Sequence, residues 1–141
     1  MATIHNRHHL AGALAAVGDR WTLHLVADLL DGPRRFGELA EALPGIAPNI
    51  LTARLRHLER AGLVVSTPYS HRPLRLAYIL TDTGRELRNV IALLAAWGGR
   101  QVNETEGPVH DLCGSPLETR MFCATCERPV DDLDAEPMRW M

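Results

Sequence analysis

The sequence predicts a mainly α chain with one small β-hairpin, followed by a short cysteine-containing tail. Three observations predict it. Apolar residues recur at helical spacing through most of residues 8–98; a strictly alternating run, 74–80, follows a β-rich run at 63–67; and charge and cysteine content change after residue 101. The length of 141 residues, 46% of them hydrophobic and 23% charged, fits one globular domain with a small appendage and excludes most large multidomain enzymes. The apolar share also excludes a disordered chain. No window reaches the roughly 18–20 apolar residues of a membrane span; the longest candidate is 90–99. Three cysteines are too few, and odd in number, for a secreted disulfide framework.

Taken in order, the first helix is expected over 8–17. The Ala-rich stretch from Leu10 to Val17, preceded by Arg7, loosely imitates a signal peptide, but it runs straight into a second helical pattern. It is read as a mature helix of a cytoplasmic protein. Asp19 can cap a second helix over 20–30, where Trp21, Leu25, Val26 and Leu29 share a stripe. Asp31, Gly32 and Pro33 stop that helix, and Arg34 to Phe36 form an extended link. A brief helix follows at 37–43, then a four-residue turn at 44–47, with Pro48 suited to the first position of a helix ending before Gly62. Short helix, tight glycine-containing turn and longer helix are the spacing of a helix-turn-helix. The run 63–67, a Pro-bounded loop at 68–73 and the strand 74–80 then make a hairpin, with Leu74, Leu76, Tyr78 and Leu80 on one face. A helix-turn-helix followed by a hairpin is a winged helix. The last helix opens at Thr81 to Gly84 and runs to about residue 98, with Leu87, Val90, Ile91, Leu94 and Trp97 at helical spacing. Its second half is apolar nearly all round, so it must be buried on more than one side, most simply against a second copy of the chain. The expected organisation is a winged-helix DNA-binding and dimerisation domain at 1–101, a linker at 102–108 and a small zinc-ribbon-like tail at 109–141.

Charge separates body from tail. Residues 1–100 hold 12 Arg against 8 acids, a net +4, whereas residues 101–141 hold 3 Arg against 9 acids, a net −6. A basic body points toward nucleic acid. On the helix 48–61, Leu51, Leu55 and Leu58 define a buried face; opposite lie Asn49, Ala53, Arg56, His57 and Arg60, flanked by Thr52 and Arg54. The early residues of such a second helix approach base edges, Asn pairing with adenine and Arg with guanine. Asn49, Thr52, Ala53 and Arg56 are the expected reading positions, with Arg60 nearer phosphate. Arg54 flanks the apolar face and suits either a structural ion pair, for instance with an acid of the helix 37–43, or a DNA contact. In the wing, His71, Arg72 and Arg75 can reach backbone or minor groove, and Arg34 and Arg35 can touch phosphate.

Several of these segments together resemble a known family. The runs from Gly18 to Leu23, Leu30 to Leu39, Leu43 to Leu58 and Tyr78 to Gly84 are similar to HxlR-type transcriptional regulators, in the same order, across roughly residues 8–101. The resemblance implies a cytoplasmic, dimeric, DNA-binding winged helix whose dimer uses the N-terminal and last helices. It does not cover the tail. Many oxidant- or electrophile-sensing members carry a cysteine where this chain has Arg7 or His8, which implies that their sensing mechanism does not operate here.

The tail holds His110 and Cys113, then, after nine residues, Cys123 and Cys126. Two such pairs suit a tetrahedral zinc site of three sulfurs and one nitrogen, whose metal would supply folding energy to a segment with little apolar surface. Asp111 or a water could replace His110 as fourth ligand. A redox pair at Cys123 and Cys126, or inert cysteines, are the competing readings. No phosphate-binding glycine loop, nucleophile elbow or zincin motif occurs, so no enzyme is expected. The expected function is a sequence-specific regulator, dimeric on a double-stranded operator, with no assignable small-molecule effector. The alternatives are an interaction module that binds no DNA and a redox-responsive regulator using Cys123 and Cys126.

Overall fold

The computed structural model describes residues 7–102 and 107–130. The element order is α1 (Arg7–Val17), α2 (Thr22–Leu30), β1 (Arg34–Arg35), α3 (Phe36–Ala42), α4 (Pro48–Arg60), β2 (Val64–His71), β3 (Leu74–Leu80), α5 (Asp82–Arg85), α6 (Leu87–Gln101), β4 (Met121–Cys123) and β5 (Arg128–Val130). Two units result: residues 11–91, and the described parts of 92–141 and 1–10.

In the first unit, Leu25, Val26 and Leu29 of α2, Leu39 of α3 and Leu51, Leu55 and Leu58 of α4 share one core with Leu63, Val64 and Leu80. The helical stripes read from spacing are therefore the buried ones. Asp19 does stop the chain for α2: its carboxylate accepts the amide N–H of Trp21 at 2.9 Å and of Thr22 at 3.1 Å. Pro48 opens α4, and Gly62 ends it at φ +71°. The Leu63 amide donates to the Leu58 carbonyl and the Gly62 amide to Glu59, both at 3.0 Å, which caps the helix through a left-handed residue that only glycine adopts freely.

The wing is longer than the alternation implied. Residues 68–71, expected in a loop, continue β2, with Pro68 opposite Leu76, Ser70 opposite Arg75 and His71 opposite Leu74; the register shifts between Pro68 and Ser70. Proline is tolerated there because the sheet order β1-β3-β2 leaves β2 on an edge. At about 3.3 Å per residue, β2 carries the hairpin turn roughly 25 Å along the sheet. The extended link becomes a third strand, Arg34 opposite Tyr78 and Arg35 opposite Ala77. Of the expected inward face of β3, Leu80 is buried and Leu76 and Tyr78 are half-buried, whereas Leu74, out at the turn, is exposed.

The last helix differs in two ways. It starts as α5 and α6 around Glu86, which keeps helical dihedrals (φ −59°, ψ −24°). Thr81 caps its start by accepting the Gly84 amide at 3.0 Å while its hydroxyl donates to the Gly62 carbonyl at 2.7 Å. Gly84 is buried so tightly that a Cβ there would lie 2.2 Å from the Leu63 carbonyl oxygen. Further along, only Leu87 and Ile91 of the apolar series pack on the core. Val90, Leu93, Leu94 and Trp97 stay exposed, Leu94 at 52% and Trp97 at 57%. A helix apolar all round has more apolar surface than one side of a single core can cover.

In the second unit, a bridge between Val109 and Pro116 closes one hairpin, and β4 pairs antiparallel with β5 to form another. No residue of 107–130 is buried; Cys123 and Val130 are half-buried and the others exposed.

Candidate nucleic-acid interface

Helix α4 is held from below and bare above. Its leucines lock it to the core, while Asn49, Ala53, Arg56 and Arg60 form one exposed stripe. The side chains of Asn49 and Arg60 make no hydrogen bond or ion pair with other described residues. Arg56 makes no direct bond but lies close enough to Tyr78 to favour its phenolate electrostatically. That pull is overridden: burial and the nearby Glu59 push the Tyr78 hydroxyl above its ordinary range. Thr52 is half-buried, its hydroxyl donating to the Pro48 carbonyl at 2.9 Å, which leaves its oxygen lone pairs as the free function. At 13 residues, α4 is about 20 Å long, enough to lie in a major groove about 12 Å wide.

Two residues of the expected outward surface are structural. Arg54 pairs at 3.2 Å with Asp19, not with an acid of α3, and both side chains are about a third exposed, at 33% and 30%. Partial burial pushes the Asp19 carboxyl up. The Thr22 hydroxyl, the Trp21 and Thr22 amides and the Arg54 guanidinium outweigh it and hold the carboxyl below its ordinary value. His57 is half-buried, its Nε2 lying 2.8 Å from the Ala16 carbonyl oxygen near the end of α1. The same Asp19 that caps α2 thus anchors α4, a double role that a local capping pattern does not reveal.

The wing brings His71, Arg72 and Arg75 together at and beside its turn, all exposed. Arg35 is exposed too, but its guanidinium stacks 4.3 Å from the centre of the Tyr69 ring. Its amide donates to the Glu38 carboxylate at 2.6 Å, closing the first turn of α3. Tyr69, unremarked in the sequence, therefore ties the wing to the strand β1; an aromatic in a basic wing was its only signal. Ile50 is exposed beside Asn49 at the start of α4, an apolar residue outside the polar stripe.

The cysteine tail forms two separate pairs. His110 Nδ1 lies 3.3 Å from Cys113 Sγ. The Ser115 hydroxyl and amide hydrogen-bond the Cys113 sulfur and hold its thiol below the usual range. The Cys126 amide and thiol and the Thr125 amide do the same for Cys123. Among the described residues no three His, Cys, Asp or Glu side chains form a group able to hold a metal. The four residues expected as ligands are thus not brought together. No described helix is long and apolar enough to cross a membrane.

Comparison with known proteins agrees with this geometry. The model of the HxlR-like helix-turn-helix matches residues 16–106. The uncharacterized HTH-type transcriptional regulator Rv3095 of Mycobacterium tuberculosis is 39% identical over 89% of this chain and 81% of its own length. Among solved structures, a candidate transcription factor of Pseudomonas aeruginosa, PA1374, superposes with a TM-score of 0.67 at 37% identity, covering 89% of this chain and 88% of that one. The redox regulator HypR in its reduced form gives 0.63 at 32% identity, over 70% of this chain and 99% of HypR. With the helix-turn-helix, the wing and these relatives in agreement, the chain belongs to the HxlR-like helix-turn-helix family of transcriptional regulators.

Proposed function

We propose that the chain acts as a homodimer on double-stranded operator DNA, each copy laying α4 in a major groove and its wing along the flanking backbone or minor groove. One observation carries the reading: the stripe Asn49, Ala53, Arg56 and Arg60 is exposed and unbonded on a helix whose opposite face is fixed in the core. Asn49 and Arg56 suit adenine and guanine edges, Ala53 and the neighbouring Ile50 suit thymine methyl groups, and Arg60 suits phosphate. Thr52 can accept from a base. Arg72 and Arg75, with His71, supply the wing contacts, and Arg35 reaches phosphate from its stack on Tyr69. The exposed apolar residues of α6 support the dimer, since a second copy would cover them and pair two reading helices about one DNA turn apart. The acidic tail stays off the DNA.

The test is footprinting on DNA flanking the protein's own gene, followed by salt-titrated binding to the protected site and to a scrambled one. A protected site with two half-sites and a steep salt slope is expected. Absence of any DNA binding at low salt would overturn the reading in favour of a protein-interaction module.

A further inference from the structure

Helix α4 is fastened to the body in two chemically different ways. Leu51, Leu55 and Leu58 bury one face, and apolar contact of this kind has no preferred direction. Two directional contacts join its side chains to other elements: Arg54 to Asp19 at 3.2 Å, and His57 Nε2 to the Ala16 carbonyl at 2.8 Å. At about 100° per residue, Arg54 and His57 share one flank of the helix, between the leucines and the stripe Asn49, Ala53, Arg56 and Arg60.

Both contacts end on the corner between α1 and α2. The Ala16 carbonyl lies in the last turn of α1, where carbonyls lack helical partners. Because a carbonyl only accepts, His57 Nε2 carries the proton of that bond. Asp19 opens α2, and its carboxylate takes the Trp21 and Thr22 amides as well as Arg54. The corner itself is stiff. The Gly18 amide donates to the Leu14 carbonyl at 2.7 Å, and a Cβ on Gly18 would collide with that same oxygen. A stiff corner thus presents a carbonyl and a carboxylate to a histidine and an arginine one turn apart on α4.

Direction is what reading bases demands. A base-edge hydrogen bond needs a separation of about 2.7–3.2 Å, whereas attraction to phosphate is long-ranged and tolerant. Asn49 lies about 12 Å along the axis from His57, so a tilt of about 10° would carry it about 2 Å, out of bonding reach. Given the DNA-reading role proposed above, on which this rests, we propose that His57, with Arg54, is a positioning residue for sequence reading. Its bond to the Ala16 carbonyl fixes the tilt and roll of α4, and with them operator specificity, while His57 itself touches no DNA. Without that bond the leucines still hold the helix to the core, so fold and general attraction to DNA persist while discrimination falls.

The experiment compares the full-length protein with His57→Leu and His57→Gln. Leucine fills the space without a donor, and the glutamine amide supplies an N–H. Binding isotherms on the protected operator and on a scrambled duplex, taken per folded molecule below each Tm, give a specificity ratio. His57→Leu is expected to lower that ratio about fivefold or more, as for one misplaced base contact, with scrambled-duplex affinity held within about twofold. His57→Gln is expected to restore it. Residual dipolar couplings of the DNA-free protein supply an independent readout. They are expected to show α4 fixed relative to α2 in wild type and His57→Gln, and averaged in His57→Leu; Arg54→Gln repeats the measurement from the second contact. An unchanged ratio in His57→Leu, an equal loss on both duplexes, a loss that His57→Gln does not restore, or unaltered couplings would each overturn the proposal. Wild-type protein that does not distinguish the two duplexes, with couplings that respond as expected, would overturn the DNA reading and leave the fastening of α4 standing.

Discussion

Replacing Asp19 by alanine tests how α4 is positioned. The carboxylate accepts the Trp21 and Thr22 amides, takes the hydroxyl of the fully buried Thr22 and pairs with Arg54 on α4 at 3.2 Å. Losing the cap costs about 1 kcal/mol. Stranding a buried hydroxyl adds about 1–3 kcal/mol. The partly exposed ion pair adds at most about 1 kcal/mol. Because these share one group they do not sum fully, and the expected loss is about 2–4 kcal/mol, or roughly 10–20 °C in Tm. Urea unfolding at one fixed protein concentration measures it, because the proposed dimer would make stability depend on concentration. The carboxyl titrates lower in the folded chain than in the unfolded one, about 3.9. The charge-dependent part of its contribution is therefore present above the unfolded value and is lost as pH falls through the folded value, so the gap between wild type and Asp19→Ala should narrow in acid. A loss below about 0.5 kcal/mol at neutral pH, or a gap that widens as the pH falls, would refute the reasoning.

Four further outcomes are expected. Arg56→Ala should weaken specific operator binding by about 1–3 kcal/mol in fluorescence anisotropy without lowering Tm; a fall in Tm with unchanged affinity per folded molecule would make Arg56 structural. Arg72→Ala, at the wing turn, should weaken operator and scrambled DNA alike and reduce the salt slope by about one, measured from binding isotherms over a salt series. Leu94→Glu should convert the dimer to monomers or aggregate in light scattering, because it would bury an unpaired charge; a wild-type protein that is monomeric at micromolar concentration would sink the dimer itself. Gly84→Ala places a methyl 2.2 Å from the Leu63 carbonyl and should cost about 1–3 kcal/mol in urea unfolding, with Thr83→Ala, exposed alongside, as the neutral control.

Much of this protein is legible locally. The stripe Leu51, Leu55 and Leu58 defines which side of α4 is buried, hence which side carries Asn49, Ala53, Arg56 and Arg60, because helical periodicity alone assigns faces. Pro48 and Gly62 mark the ends of that helix through backbone dihedrals, which are properties of single residues. What depends on neighbours far along the chain was not legible. Arg54 could be assigned to DNA or to an ion pair only once Asp19, 35 positions away, was seen to face it. His57 has helical spacing for the outer face, yet the Ala16 carbonyl captures it at 2.8 Å. Pro68 reads as a loop residue until the sheet order makes β2 an edge strand, the place in a sheet where proline is tolerated. Periodicity marks α6 as apolar all round, but only packing showed that Leu87 and Ile91 serve the core while Val90, Leu93, Leu94 and Trp97 remain uncovered. Periodicity and capping depend on residues within a turn or two, so the sequence determines them by itself; partners are chosen by the tertiary fold, which alone brings distant residues within hydrogen-bonding reach.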